Sequence, residues 1–496
     1  MTAVKPLSSV LNRLNLPQLL LIDGELQAAS SGKTYEVHDP ATGKPIASVA
    51  HGASADVDLA VSAARRAFEN RRWRGLTAEA RSRILLRLAD LVEVHAEELA
   101  HLDILNNGMP LAMANALAAA SAARVRSAAA LSSRIYGKNA SAAISGNGSE
   151  MHAYTAKEPV GVVGLILPWN APMASFLGKV STALAAGCTC IVKPAEATPL
   201  TALLLGELAL EAGVPPGVVN VVHGFGDAGQ ALVDHPDVDK ISFTGSTAVG
   251  KQIVRSCADN LKRITLELGG KSANIIFDDA DMTVAIPGAA HAIFMNAGQA
   301  CLAGSRLFVQ RRALDTVLEG LSDIAGKIRL GSGFDPETQM GPLVSQRQLE
   351  RVTGYIEQGR TDGAKLVTGG GRRDGDGYFV EPTIFLDPPA DSGIYREEIF
   401  GPVLVVKSFD SIDEVVEAAN DTRYGLAGGV FTTNVNTAHL VAGQLKTGTV
   451  WVNCYGHLHP TMPFGGYKES GWGREIDEQG LEAFLETKSV FVKLNQ

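Results

Sequence analysis

The chain has few cysteines, no long apolar run and no excess of positive charge. Its five cysteines are widely spaced and odd in number, which argues against a disulfide framework and is typical of a reducing compartment, so we expect a cytoplasmic protein. No apolar run reaches the roughly 18 residues that a membrane helix needs. The formal net charge of −9 argues against nucleic acid or an anionic membrane as a partner.

Patterns typical of metal sites and serine hydrolases are also missing. Cys188 and Cys190 are separated by one residue, lie in an apolar run and have no second pair, so we interpret them as part of a buried strand. The chain has no G-x-S-x-G motif and no cluster of histidine ligands. We therefore expect neither a bound metal nor a serine nucleophile.

The length of 496 residues predicts two to three domains. From Gly161 onward, short apolar runs alternate with helical segments, which is typical of a parallel sheet covered on both faces and of a doubly wound nucleotide-binding fold. The first set of predicted strands is Val162–Leu167, Cys188–Val192, Val218–Val222, Ile241–Thr244 and Ile264–Leu266. A second α/β domain after Gly270 is predicted from the runs 275–277, 307–310, 403–406, 429–431 and 450–453.

Residues 1–50 are predicted to form short strands and turns, and three helices are predicted to follow. Apolar residues at helical spacing predict helices over Ser54–Phe68, from Thr77 to about Ile104, and over Leu111–Leu131. Asp23-Gly24 after an apolar run predicts a hairpin turn. Residues 138–156 lack helical periodicity, and Ser489–Lys493 has the alternation of a strand.

The most informative stretch is Phe-Met-Asn-Ala-Gly-Gln-Ala-Cys, which ends at Cys301. Small and amide-bearing neighbours leave the sulfur accessible, and backbone N–H groups of such a turn can bind an oxyanion. A lone cysteine is more often a small buried hydrophobe. Two further features favour the functional reading: Glu267 within Leu-Glu-Leu-Gly-Gly-Lys, and Asn170 within Pro-Trp-Asn.

Together these motifs resemble the aldehyde dehydrogenase superfamily, from about Leu20 to the C-terminus. The resemblance implies an α/β fold with a doubly wound, Rossmann-like cofactor domain (1–137 and 157–268) and a second α/β catalytic domain (269–468). It also implies a small β arm (138–156 and 480–496) that pairs with a neighbouring subunit, so we expect a homo-oligomer, either a dimer or a tetramer.

The same resemblance implies the chemistry. Cys301 attacks an aldehyde, the backbone N–H of Cys301 and the amide of Asn170 bind the oxyanion, and Glu267 activates the water that hydrolyses the thioester. The apolar neighbours of Glu267 favour a raised pKa, as a base in this role needs. Lys179 and Glu475 match positions associated with proton relay, and we treat them as supporting residues.

Two glycine-rich turns compete for the dinucleotide. Gly224–Gly229 matches G-x-G-x-x-G, but its Asp227 would place a negative charge beside the pyrophosphate. We therefore favour the next strand-to-helix junction, where Gly245, Ser246 and Gly250 open a helix whose N-terminus attracts an anion. The resembled family uses this second turn.

Other cofactor contacts are expected at the carboxyl end of the sheet. Lys193 and Glu196 follow a strand and are placed to bind ribose hydroxyls, and Glu196 would repel a 2′-phosphate, which favours NAD while leaving NADP open. By resemblance, Glu398 binds the nicotinamide ribose and Phe400 packs beside the nicotinamide. The resemblance also assigns Trp169 and Leu268 to the cofactor site.

The substrate end departs from the family pattern. Positions that are aromatic in many members are Ala171, Gly178 and Leu458 here, with His457 and His459 nearby. Smaller residues should widen the mouth, so we predict a bulky aldehyde, aromatic or branched. Two alternatives remain: an enzyme that transfers the acyl group to coenzyme A, against which Glu267 argues, and a binding or structural protein that keeps the fold without turnover.

Overall fold

Two parallel sheets, each covered by helices on both faces, organise the computed structural model, which describes residue 10 and residues 13–15, 18–144 and 150–493. The strands of these ranges are numbered in chain order: β1 Leu20–Ile22, β2 Glu25–Gln27, β3 Thr34–Asp39, β4 Lys44–Ala50, β5 Asn139–Ile144, β6 Glu150–Pro159, β7 Val162–Ile166, β8 Thr189–Lys193, β9 Val219–Val221, β10 Lys240–Thr244, β11 Arg263–Glu267, β12 Ala273–Ile276, β13 Arg306–Gln310, β14 Lys365–Thr368, β15 Thr383–Leu386, β16 Val403–Phe409, β17 Ala427–Phe431, β18 Thr449–Val452, β19 Gly471–Trp472 and β20 Leu485–Lys493.

The helices are numbered in the same way: α1 Ser54–Glu69, α2 Ala78–Val94, α3 Ala96–Asn107, α4 Leu111–Leu131, α5 Pro172–Ala186, α6 Leu200–Ala212, α7 Gly226–Asp234, α8 Thr247–Ala258, α9 Met282–Phe294, α10 Leu314–Lys327, α11 Gln346–Thr361, α12 Gly393–Arg396, α13 Ile412–Asn420, α14 Val435–Gln444 and α15 Asp477–Glu482. In the described ranges no helix combines the length and the apolar character that crossing a membrane requires. The same ranges hold no cluster of three or more His, Cys, Asp or Glu residues arranged to bind a metal.

The first sheet has the strand order β19-β11-β10-β7-β8-β9-β1-β2, and its five central strands are parallel. Alternate residues of β7 enter different cores: Val163 and Leu165 pack in one, whereas Val162 and Ile166 pack in the other. Both faces of the sheet are therefore buried, which is why its strands are almost continuously apolar. The predicted doubly wound fold is confirmed.

The second sheet has the order β14-β15-β16-β13-β12-β17-β18, parallel except for the β14–β15 pair. The predicted apolar runs lie in or beside β12, β13, β16, β17 and β18. The sequence interpretation missed β14 and β15, each of four residues.

A third, antiparallel sheet joins β5, β6 and β20. Nine residue pairs align β20 with β6, from Leu485 opposite Pro159 to Lys493 opposite Met151. The predicted tail strand therefore begins at Leu485, earlier than the Ser489 expected from its alternation. Residues 145–149, within the expected arm, lie outside the described residues.

The prediction of one helix from Thr77 to about Ile104 is wrong. The chain leaves helical geometry at His95 (φ −99°, ψ 13°), which ends α2 and begins α3. The imidazole of His95 lies 3.0 Å from Glu98 in the first turn of α3. The two helices also differ in burial, because α2 is amphipathic whereas α3 is buried from Glu98 to its end except at His101. The helical spacing of apolar residues continues through His95, so the sequence pattern does not reveal the break between the two helices.

Candidate active site

The loop before Cys301 reverses the chain through three successive left-handed residues. After α9 ends, Asn296 (φ 50°), Ala297 (φ 53°) and Gly298 (φ 71°) all have positive φ. Asparagine and glycine tolerate this region, whereas alanine does so at a cost in strain, which must be offset by neighbouring contacts. The side chain of Gln299 supplies two of them, since it donates to the Asn296 carbonyl (3.1 Å) and accepts from the Val344 N–H (2.9 Å).

Cys301 is half-buried at the end of this loop. Burial raises the pKa of its thiol to about 12, and the charges of Glu398 and Glu267 act in the same direction. The backbone N–H groups of Leu302 and Cys301 oppose this rise in pKa but do not overcome it. Local dipoles alone therefore leave the sulfur protonated near neutral pH, and further positive charge is needed to form the thiolate.

Asn170 and the cysteine loop are joined by reciprocal hydrogen bonds. The amide of Asn170 donates to the Gln299 carbonyl (2.9 Å), and the amide of Asn296 donates to the Asn170 carbonyl (3.0 Å). An asparagine amide carries two N–H groups, so one of them remains for a substrate oxygen. From the other side, Asn107 at the end of α3 donates to the Trp169 carbonyl (3.1 Å).

Glu267 ends β11 and is only 4% exposed. Neither of its carboxyl oxygens has a hydrogen-bond partner among the described residues. Burial raises the pKa of Glu267 well above its ordinary value, and the charge of Glu475 adds to this, against opposing effects of Lys179, Arg474 and Arg124. Its Oε1 lies against Gly465, where an added Cβ would be only 2.9 Å away. Glu267 is therefore a buried carboxyl whose raised pKa makes it a stronger base than an ordinary glutamate, as general base catalysis requires.

Lys179 and Glu475 form an ion pair behind this carboxyl. The ammonium of Lys179, on α5, also donates to the Ser242 hydroxyl of β10 (2.9 Å). Burial alone would raise the pKa of Glu475, but the charge and hydrogen bond of Lys179, with Arg124, lower it below its ordinary value. Sequence reasoning did not identify Ser242, because only the sheet register brings it here.

The carboxyl edge of the first sheet brings the expected ribose-binding residues together. Lys193 ends β8, is 6% exposed, and its ammonium lies 3.9 Å from the Glu196 carboxylate. Burial lowers the pKa of Lys193, opposed by Glu196 and Asp227. Arg347, which sequence reasoning missed, lies 3.6 Å from the other oxygen of Glu196.

Both glycine-rich turns lie at this edge. Ser246 caps α8 by accepting from the Val249 N–H (3.4 Å), which leaves its hydroxyl hydrogen free to donate. Gly245 donates its N–H to the Glu267 carbonyl (3.0 Å), and a Cβ at Gly250 would lie 2.6 Å from Leu268 Cδ2. The second turn is therefore in direct contact with the strand that carries Glu267.

The competing turn 224–229 lies beside the same lysine. A Cβ at Gly229 would be 3.7 Å from Lys193 Cδ, and the Asp227 carboxylate lies 3.6 Å from the imidazole of His51. The choice between the turns remains a prediction, and Asp227 adds a second negative charge near Lys193.

Glu398 and Phe400 are placed next to the cysteine loop. The Gly270 N–H donates to Glu398 (2.9 Å), and burial raises the pKa of this carboxyl to about 7. Phe400 has a positive φ of 60° and packs edge-on against Trp169, with ring centroids 5.0 Å apart. Gln348, on α11, holds this strained turn by donating to the Phe400 carbonyl (2.8 Å).

The predicted substrate end is partly filled by an arginine. A Cβ at Gly178 would lie 2.8 Å from Nη1 of Arg124, so a guanidinium occupies the space beside this glycine. Leu458 is 48% exposed, and the imidazole of His459 is within 2.8 Å of the Thr461 hydroxyl of its own loop. The sequence interpretation did not single out Arg124.

Comparisons with known proteins agree with this arrangement. A sequence model described as the aldehyde dehydrogenase family matches residues 27–490. An aldehyde dehydrogenase of Enchytraeus buchholzi is 48% identical over 96% of this chain and 95% of its own length. An NAD+ complex structure of aldehyde dehydrogenase from Bacillus cereus is 48% identical, covers 100% of both chains and has a TM-score of 0.96. A Staphylococcus aureus betaine aldehyde dehydrogenase, solved with NAD+, is 38% identical over 99% of this chain and 98% of its own, with a TM-score of 0.96. The chain belongs to the aldehyde dehydrogenase family.

Proposed function

We propose that the chain oxidises an aldehyde to the carboxylic acid with NAD, through a thioester on Cys301. The observation that carries the proposal is the convergence of three separate elements. Cys301 comes from the loop after α9, Asn170 from the segment just before α5, and Glu267 from the end of β11, and the charge of Glu267 acts on the Cys301 thiol.

Each residue has one task in the reaction. The Cys301 thiolate adds to the aldehyde carbon, and the oxygen that becomes negative accepts hydrogen bonds from the Cys301 N–H and the Asn170 amide. NAD, when bound, accepts the hydride that this carbon must lose for the thioester to form. Glu267 then removes a proton from water as it attacks the thioester, which releases the acid and the thiol.

The cofactor assignment is supported by the residues at the sheet edge. Lys193 and Glu196 would hold the adenine ribose, with Gly245, Ser246 and Gly250 beneath the phosphates and Glu398 at the other ribose. The buried Glu398 carboxyl accepts one hydrogen bond, from Gly270, so it retains acceptor capacity for ribose hydroxyls. Glu196 and Asp227 favour NAD over NADP because both would repel a 2′-phosphate.

The acyl acceptor is proposed to be water rather than coenzyme A, since Glu267 is present and buried, and its charge acts on the Cys301 thiol. Acyl-coenzyme A formed in an assay with that thiol added would contradict this.

For the aldehyde itself we propose a bulky substrate, aromatic or branched. A kcat/KM for acetaldehyde above that for benzaldehyde would contradict this second point.

A stopped-flow experiment tests the mechanism. Wild-type protein, NAD and benzaldehyde should give a burst of NADH followed by steady turnover. Glu267→Gln should keep the burst and lower the steady rate by roughly a hundredfold or more, because general base catalysis contributes about 10²–10⁴-fold. Cys301→Ala should lose both phases. Cys454→Ala, another half-buried cysteine, is the matched control and should keep both. A burst that survives in Cys301→Ala would overturn the proposal.

We further propose that the sheet of β5, β6 and β20 joins subunits into a homo-oligomer. Phe491 and Val492 on β20 and Tyr154 on β6 are apolar yet 64%, 43% and 38% exposed. Exposed apolar side chains on a small sheet are typical of an interface.

A further inference from the structure

Arg124 is a cation that no carboxylate contacts directly, although the charges of Glu475 and Glu267 act on it from beyond ion-pair distance. It lies on α4, is half-buried, and makes no hydrogen bond or ion pair within the part of the chain that the structure describes. Its guanidinium packs against Gly178 of α5, where an added Cβ would meet Nη1 at 2.8 Å and Cζ at 3.1 Å. A charged group withdrawn from water is costly unless a partner compensates it, so this site favours binding of an anion.

Arg124 lies beside the candidate reacting groups. Gly178 directly precedes Lys179, whose ammonium pairs with Glu475. One turn further along α4, the Ser127 hydroxyl lies 3.5 Å from the Pro460 carbonyl, so this helix borders the loop that carries Leu458. Helix α4 therefore contacts Gly178 through Arg124 and the loop near Leu458 through Ser127, and the sequence predicts a widened substrate mouth at both places.

The charge balance around Arg124 is positive. Four cations act on the carboxyls of Glu267 and Glu475, namely Lys179, Arg124, Arg474 and Lys240. The carboxyls among these cations are Glu267 and Glu475, and the charge of Glu475 is matched by its ion pair with Lys179. A cleft with excess positive charge concentrates anions. A guanidinium can bind a carboxylate through two parallel N–H bonds.

We propose that Arg124 binds an anionic group of the substrate, so that the preferred aldehydes carry a carboxylate at the end remote from the aldehyde carbon. This rests on the proposed oxidation of aldehydes and names its substrate class. It also revises the interpretation of Gly178. This glycine does not simply widen the substrate mouth, because the guanidinium of Arg124 uses the space that an aromatic side chain would fill.

A pair of matched substrates separates this role from an indirect one. The kcat/KM values of 4-carboxybenzaldehyde and 4-methylbenzaldehyde are compared in wild type, Arg124→Met, Arg124→Lys and the control Arg126→Met. Arg126 lies on the same helix but pairs with Asp90 and Glu93, so its removal changes the net charge equally. Wild type should prefer the carboxylated aldehyde at least tenfold. Arg124→Met should abolish that preference mainly by raising KM, Arg124→Lys should restore part of it, and Arg126→Met should keep it.

Two results would overturn the inference: no preference for the carboxylate in wild type, or an equal loss for both aldehydes in Arg124→Met. The second would mean that Arg124 acts only through Glu267 and Glu475. Failure of wild type to oxidise either aldehyde would instead refute the proposed function. In that case calorimetry with 4-methylbenzoate and 4-methylbenzamide decides the point, because wild type should bind the acid more tightly and Arg124→Met should not. Equal binding of the two compounds would overturn the inference.

Discussion

At the scale of single residues, the buried carboxyl of Glu267 sets how the reaction should depend on pH. A base acts in its ionised form, so a raised pKa moves the rising limb of the rate profile to higher pH. At pH values below the pKa of Glu267, we expect the rate of thioester hydrolysis to rise about tenfold for each unit by which the pH increases. Single-turnover release of the acid, followed between pH 6 and 9, measures this. In Glu267→Gln this dependence of the rate on pH should disappear. If it persists in that variant, another group is responsible for it.

Glu196 permits a second prediction, on the choice of cofactor. Its carboxylate lies between Lys193 and Arg347, so Glu196→Gln leaves two cations able to face a 2′-phosphate. We expect KM for NADP to fall by about fivefold or more, because a partly exposed charge contact is worth about 1 kcal/mol. Steady-state kinetics with both cofactors provides the measurement, and Glu350→Gln on the exposed face of α11 serves as the control. An unchanged ratio of NADP to NAD would contradict the role of Glu196.

The residues that the sequence did not predict share one property: they reach the site from distant elements. Arg124 and Arg347 lie in helices with no motif around them, and Ser242 lies in a strand before the glycine-rich turn but outside it. Their roles depend on which faces of those elements meet, and this is fixed by packing rather than by local pattern. Cys301, Glu267 and Asn170 were predictable because each lies in a short motif with its own chemistry.

At the scale of elements, the turn between β10 and α8 permits a test of the proposed dinucleotide site. An alanine at Gly250 would place Cβ within 2.6 Å of Leu268 Cδ2 and push this turn and β11 apart. Overpacking of this kind costs about 1–3 kcal/mol, so we expect KM for NAD to rise about fivefold or more with a smaller change in KM for the aldehyde. Gly443→Ala is the matched control, since a Cβ there meets nothing within 4 Å. If the two variants show equal KM for NAD, the dinucleotide does not depend on this turn.

An element could be predicted from the sequence when a local pattern determines it, and not when contacts with its neighbours do. The central strands of both sheets were predicted because burial on both faces leaves an almost unbroken apolar run. The hairpin of β1 and β2 was predicted because Asp23 and Gly24 both adopt positive φ in a two-residue turn. The break at His95 has no glycine or proline to mark it, and the short strands β14 and β15 gain their order from their neighbours in the sheet.

At the scale of the whole molecule, the chain connects the first sheet to the second sheet at two places. The chain passes from β11 into the second sheet after Glu267, and it returns at β19, which pairs antiparallel with β11 through Gly471 and Trp472. Phe464 and Glu475 pair their backbones just beside this return. The segment that carries Glu475 is therefore anchored to the strand that carries Glu267, so shared backbone contacts fix these two carboxyls relative to the first sheet.

The sheet of β5, β6 and β20 allows the last prediction, on assembly. Phe491 is 64% exposed in the single chain, so Phe491→Glu should leave the fold of one subunit intact while placing a charge in an interface if one forms there. Burying an unpaired charge costs several kcal/mol, so we expect the mass measured by light scattering after size exclusion to fall toward that of one chain, 52.1 kDa. Val435 on α14 is also 64% exposed, so Val435→Glu is the control and should keep the mass of wild type. If wild type and Phe491→Glu have the same mass while both remain folded by circular dichroism, the subunits associate through another surface or not at all.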